Sequence, residues 1–183
     1  MHKQVLFIHG GGQEDFEADA LLANSLRNCL GEAYTVHYPF LNDDNSSPDF
    51  GRINQIQKAL GSINGEIILV GHSLGASMIL KYLSENPYPK KITGLFLIAT
   101  PFWSGDEGWK QGLKLSESFA YKLPQDVPVY LYHCLDDDVV PFDHFGIYAK
   151  NLPDAITREI KSGGHQLNND LNLVAKDIKS LQI

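Results

Sequence analysis

A chain of 183 residues, 43% hydrophobic and 20% charged, has the composition of one globular domain with ample apolar surface for a core. Its formal net charge of -7 excludes the basic footprint that nucleic-acid phosphates require and disfavours an anionic membrane surface. The two cysteines, Cys29 and Cys134, lie in no CxxC or metal-ligand spacing, so no disulfide framework is expected and both read as small buried apolar residues.

Met1-His2-Lys3 runs straight into a strand-like segment, with no charged region followed by a long apolar one, so no signal peptide is predicted. No apolar run approaches the roughly 20 residues of a spanning helix, and the expectation is a soluble, cytoplasmic protein. The first predicted strand is Val5-Leu6-Phe7-Ile8, followed by the loop His9-Gly10-Gly11-Gly12. A helix follows, with Leu22, Leu26, Cys29 and Leu30 on one face. Tyr34 to Tyr38 reads as a second strand, and Asn42 to Pro48 as a solvated turn. Ile53, Ile56, Leu60 and Ile63 mark a second helix, and Ile67 to Val70 a third strand.

Gly75, Ile79, Tyr82 and Leu83 form the next helical stripe, and Leu95 to Ile98 the next strand. The interval from Pro101 to Pro124 is long for a simple connection and carries Phe102, Trp103, Trp109, Leu113 and Phe119. Either its segment 102–122 forms a small lid, with Phe102 and Trp103 touching substrate, or its aromatics simply pack a helix onto the sheet. Val129 to Tyr132 and Ile156 to Ile160 complete the strands, the last alternating apolar with charged residues as an exposed edge does. Leu171, Val174, Ala175, Ile178 and Leu181 close the chain with a fourth helical stripe.

The first, third and fourth runs are continuously apolar, as strands buried on both faces of a parallel sheet are. Strict β–α alternation implies right-handed crossovers. The predicted fold is a doubly wound α/β domain: a mostly parallel six-stranded sheet in the order 2-1-3-4-5-6, helices on both faces. Winding reverses between strands 1 and 3, so the loops leaving those strands should face each other across a crevice at their C-terminal ends.

One of those loops carries Gly71-His72-Ser73-Leu74-Gly75, a G-x-S-x-G sequence. It follows an apolar strand and opens an amphipathic helix, the setting of a nucleophile elbow. A serine hydroxyl needs an adjacent base. His165, in Gly163-Gly164-His165 between the last strand and the last helix, is the candidate. The imidazole in turn needs a carboxylate to fix its tautomer. Asp136, Asp137 and Asp138, just past the fifth strand, are all placed for that role, and the chain order Ser, Asp, His is the α/β-hydrolase order. A metal site built from this triplet and His133 has no regular ligand spacing.

In these features the sequence resembles the α/β-hydrolase superfamily over nearly its whole length. By its short length it resembles the small single-domain serine hydrolases grouped with the retinoblastoma-binding serine hydrolase. In that superfamily the acid commonly stands in D-x-x-V-P or, as here, D-x-V-V-P. Asp137-Asp138-Val139-Val140-Pro141 fits this form, so the resemblance selects Asp137, with Asp138 and Asp136 as alternatives. His9-Gly10 resembles the start of the superfamily's oxyanion loop. Measured against that resemblance, neither the N-terminal antiparallel strands nor the large cap of bigger members is expected.

The expected chemistry is acyl transfer to water through Ser73, with oxyanion donors at the N–H groups of Leu74 and Gly11, Gly12 being the alternative for the latter. His9 and His72 are expected to be structural. No metal or organic cofactor is expected. The expected partner is a small-molecule acyl substrate, most simply a carboxylic ester. The same three residues would serve a thioesterase, a peptidase or a lipid hydrolase. A binding module on the hydrolase fold, with a protein partner, is the rival reading.

Overall fold

Apolar runs bounded by glycine and polar turns set the strands of this chain, and a computed structural model describes residues 2–88, 91–106 and 108–182. The side chain of Trp109 lies outside the described set, as does residue 107 within the interval considered as a lid. The strands are β1 (Lys3–Ile8), β2 (Tyr34–His37), β3 (Ile67–His72), β4 (Ile92–Ile98), β5 (Val129–Cys134) and β6 (Ile156–Ile160). They form one sheet in the order β2-β1-β3-β4-β5-β6, and every pairing is parallel. β3 and β4 are buried along their whole length, whereas β6, at the edge, has no buried residue.

The helices are α1 (Gly12–Leu30), α2 (Arg52–Ser62), α3 (Leu74–Glu85), α4 (Phe119–Lys122), α5 (Asp143–Asn151) and α6 (Asn172–Lys179). They divide the core between the two faces of the sheet. Leu22, Leu26, Val174 and Ile178 of α1 and α6 pack on one face with Phe7, Val70 and Phe96. Ile56, Ile79, Phe119 and Tyr148 of α2 to α5 pack on the other with Leu6, Leu69 and Leu97. The side chains alternate between faces along each strand, so both faces are apolar. α5 follows none of the four stripes read in sequence, although Phe145 and Tyr148 bury one of its sides.

One expectation needs adjustment. Cys134 is fully buried, but Cys29 is only half-buried at the outer edge of α1, where its Sγ lies 3.2 Å from Asn172 Oδ1. In the 101–124 interval, Leu113, Leu115 and Phe119 are buried in the same core as α3. A 3-10 segment, Gly108–Leu113, holds the chain there, and a Cβ on Gly112 would overlap the carbonyl of Pro48. The described helices include none long and apolar enough to cross a membrane.

Candidate active site

The sharp turn from β3 into α3 presents Ser73 at the C-terminal end of the sheet. Ser73 has φ 51° and ψ -127°, a conformation that side-chain-bearing residues rarely adopt. Its N–H is tied to Ile98 O at 2.9 Å, which anchors the strained turn to β4. The glycines on either side are required by close approach. A Cβ on Gly71 would stand 2.6 Å from Ala76 Cα, and one on Gly75 would overlap the carbonyl oxygens of Ile8 and His9. Without those two Cβ atoms α3 can start hard against β1, with Leu74 as its first residue and its N–H outside the helical ladder.

Across the crevice, the loop leaving β1 is fixed from beneath by Arg52, which is fully buried. Its guanidinium donates to His9 O at 3.2 Å, to Gly10 O at 2.8 Å and to Asp43 Oδ1 at 2.5 Å. Asp43 Oδ2 accepts from the Gly12 N–H, also at 2.5 Å, and Asp19 Oδ2 accepts from the Gly10 N–H at 2.9 Å. The N–H groups of Gly10 and Gly12 are therefore committed. That of Gly11 faces the half-buried Asp15 carboxyl, which burial and the neighbouring charge of Asp19 push up. Gly11 also adjoins the elbow: a Cβ there would lie 3.4 Å from Leu74 Cδ2.

The base candidate sits between β6 and α6. His165 Nδ1 lies 2.9 Å from Asp137 Oδ2 and 3.1 Å from Oδ1, so it donates to the carboxylate and leaves Nε2 as the acceptor. Asp137 also accepts from the N–H groups of Val139 and Val140, both at 2.9 Å. Burial opposes its charge, but these bonds hold the carboxyl below the ordinary range. Of the other two aspartates, Asp136 accepts from Gly163 and Gly164 N–H and so holds the loop that carries His165, while Asp138 is exposed. Burial, then the nearby charge of His72, keep His165 below its ordinary value of 6.5 despite the Asp137 bond. Among the described hydrogen bonds none joins Ser73 Oγ to His165; such pairs often align only with substrate present. His165 O does accept from His72, the residue before Ser73, at 2.9 Å.

A family model described as serine hydrolase matches residues 40–172, well over half of the sequence and a span containing Ser73, Asp137 and His165. The chain belongs to the serine hydrolase family. The hydrolase has the α/β-hydrolase fold, and its similarity to solved structures extends along both chains. Arabidopsis thaliana SOBER1 is 17% identical, with a TM-score of 0.69 and 98% of each chain covered. Acyl-protein thioesterase 2 of Zea mays is 17% identical, with a TM-score of 0.68, over 98% of this chain and 94% of that one. The ydeN gene product of B. subtilis is 21% identical, with a TM-score of 0.66 and 97% of each chain covered. At these identities the likeness is one of fold. No curated protein sequence matches the hydrolase.

Phe102 and Trp103, the candidate substrate contacts of the hydrolase, are half-buried on the loop after β4. Phe102 N–H donates to His144 Nδ1 at 3.0 Å, and Trp103 Nε1–H to Ser77 Oγ on α3 at 3.0 Å. His9 is structural, as expected. Its Nε2 accepts from Leu41 N–H at 2.9 Å, and its ring packs among Phe16, Tyr38 and Phe40. Sequence reading passed over Arg52 and Asp19 and put Asp43 in a solvated turn, whereas it is half-buried between Arg52 and the Gly12 N–H. For Asp19 a signal existed: it stands three residues before Leu22 and seven before Leu26, a carboxylate on the apolar face of α1.

Proposed function

We propose that this serine hydrolase cleaves a small acyl ester through an acyl-enzyme on Ser73, with His165 as general base and Asp137 as its orienting carboxylate. The observation that carries the reading is the buried Asp137 carboxylate bonded to His165 Nδ1, which leaves the lone pair of Nε2 free to take a proton. In the first half-reaction His165 removes the proton of Ser73, whose Oγ attacks the substrate carbonyl carbon. The oxyanion is received by the N–H groups of Leu74 and Gly11. Gly12 N–H is bonded to Asp43, which Arg52 pins in place, whereas Gly11 N–H meets Asp15, whose carboxyl burial and Asp19 make more ready to take a proton; this difference favours Gly11 over its neighbour. That Gly11 N–H faces a carboxyl oxygen in the free protein supports its being offered to negative charge. His165 then protonates the departing alcohol. In the second half-reaction it deprotonates a water that releases the acid.

Phe102 and Trp103 are proposed to wall the acyl site. Their bonds to His144 and Ser77 favour a fixed wall; a lid built from 102–122 would have to release them on opening. The name of the Zea mays neighbour puts thioesters beside esters as substrates to test. Turnover of short-chain aryl esters, matched thioesters and matched anilides by the wild type and by Ser73→Ala is the direct experiment. Ester hydrolysis is expected to be fastest, and Ser73→Ala to lower it by about 10³-fold or more. Preference for the thioester would change the substrate class. Inertness toward the whole panel, together with capture of a specific protein ligand, would favour the interaction module.

A further inference from the structure

Beneath the elbow lies a buried ion pair that takes no part in the bond-making steps above. His72 and Asp19 are 1% and 0% exposed. His72 Nδ1 is 2.8 Å from Asp19 Oδ1 and 2.9 Å from Oδ2, and His72 Nε2 is 2.9 Å from the main-chain oxygen of His165. The carbonyl can only accept, and so does Asp19 in the ionised form that its hydrogen bonds favour against burial. Both ring nitrogens must therefore carry a proton to make these bonds, which makes the ring an imidazolium. Asp19 is suited to balance that charge, because it also accepts from Gly10 N–H at 2.9 Å and from Gln166 Nε2 at 3.1 Å. A buried charge pair persists when its remaining hydrogen-bonding capacity is met in this way. One carboxylate thus ties together the glycine loop, the elbow and the loop that carries His165.

We propose that Asp19 holds His72 as an imidazolium, and that His72 is a positioning residue which fixes the backbone of His165 and sets a fixed positive charge beside its ring. The inference rests on the reading of His165 as the base. The two rings lie 4.6 Å apart between centroids, tilted by 49°, close enough for one cation to disfavour a second. His165 faces burial and His72 on the side that opposes its charge, and Asp137 and Asp19 on the side that favours it; the balance leaves it low. His72 faces burial on one side and Asp19, the His165 carbonyl and Asp15 on the other; the balance leaves it high. The hydrolase thereby keeps a neutral, competent base under mildly acidic conditions, where a solvated histidine would already be protonated.

Nitrogen-15 NMR of the histidine rings in the wild-type protein tests the charge directly. His72 is expected to show two protonated ring nitrogens at pH 8, while His165 shows one. A neutral His72 at that pH would overturn the proposal, whatever the variants do. In His72→Gln the cation is lost, so the acidic limb of kcat/KM for an aryl ester is expected to move up by about one pH unit, and by less in Asp19→Asn, which also removes a carboxylate that favours protonation of His165. A fall in rate at every pH with the limb unmoved would reduce His72 to a packing role and end the tuning claim. Fluorophosphonate labelling of the wild type separates the two readings. If Ser73 is not labelled, the hydrolytic assignment fails while the charge on His72 is still decided by its own spectrum.

Discussion

Gly11 is the residue at which the proposed chemistry can be probed with least disturbance. Its φ of -82° and ψ of 140° are compatible with proline, which would remove the N–H, turn Asp15 away from it and bring a Cβ into contact with Leu74. Gly11→Pro is expected to lower kcat by 10²- to 10³-fold, about 3 kcal/mol of barrier, with the fold intact by circular dichroism. An unchanged kcat would move the oxyanion donor elsewhere. The choice between Gly11 and Gly12 was not legible in His9-Gly10-Gly11-Gly12, because it depends on Asp43, thirty-one positions on from Gly12 in the chain, claiming one N–H. The choice of Asp137 among three consecutive aspartates came from the D-x-V-V-P pattern. The geometry accounts for it: Val139 and Val140 supply the N–H groups that steady the carboxylate while Asp136 is turned toward Gly163 and Gly164.

The elements around the site are held by contacts of very different legibility. β3, the elbow and α3 could be read locally, since an apolar run, two glycines flanking a serine and a helical stripe are adjacent in sequence. The reason for Gly75 could not be read, because what it makes room for is the end of β1. Gly75→Ala is expected to force α3 away from β1, costing about 3 kcal/mol in urea unfolding and abolishing activity. A variant of wild-type stability would mean that the α3–β1 approach is not tight. Arg52 gave no warning of its role: it opens α2 like a surface residue, yet it is buried and grips two carbonyls of the glycine loop. Long-range polar clamps of this kind have no periodicity, so pattern reading passes over them.

Across the whole molecule, the sheet order and the two-faced core were legible because continuous apolar strands alternating with one-sided helices admit few arrangements. Response to acid is a property of the same scale. Burial, with Arg52 nearby, lowers His9 from 6.5 to about 4. The folded state thus resists a proton that the unfolded chain accepts. The stability this represents is fully present above pH 6.5 and is lost as pH falls toward 4, amounting to about 3 kcal/mol at most. Asp19, Asp137 and Asp177, all held below the ordinary carboxylate range, add a further loss at lower pH. Urea midpoints measured from pH 8 to pH 4 are expected to fall most steeply below pH 6.5, and His9→Gln to flatten the upper part of that decline. A midpoint constant down to pH 4 would contradict this account.

The measurement closest to the central claim is the mass of the intact protein after exposure to a fluorophosphonate, followed by peptide mapping. The account predicts a single adduct on Ser73, slowed strongly in His165→Ala and absent in Ser73→Ala. An adduct on another residue, or undiminished labelling when His165 is replaced, would contradict it.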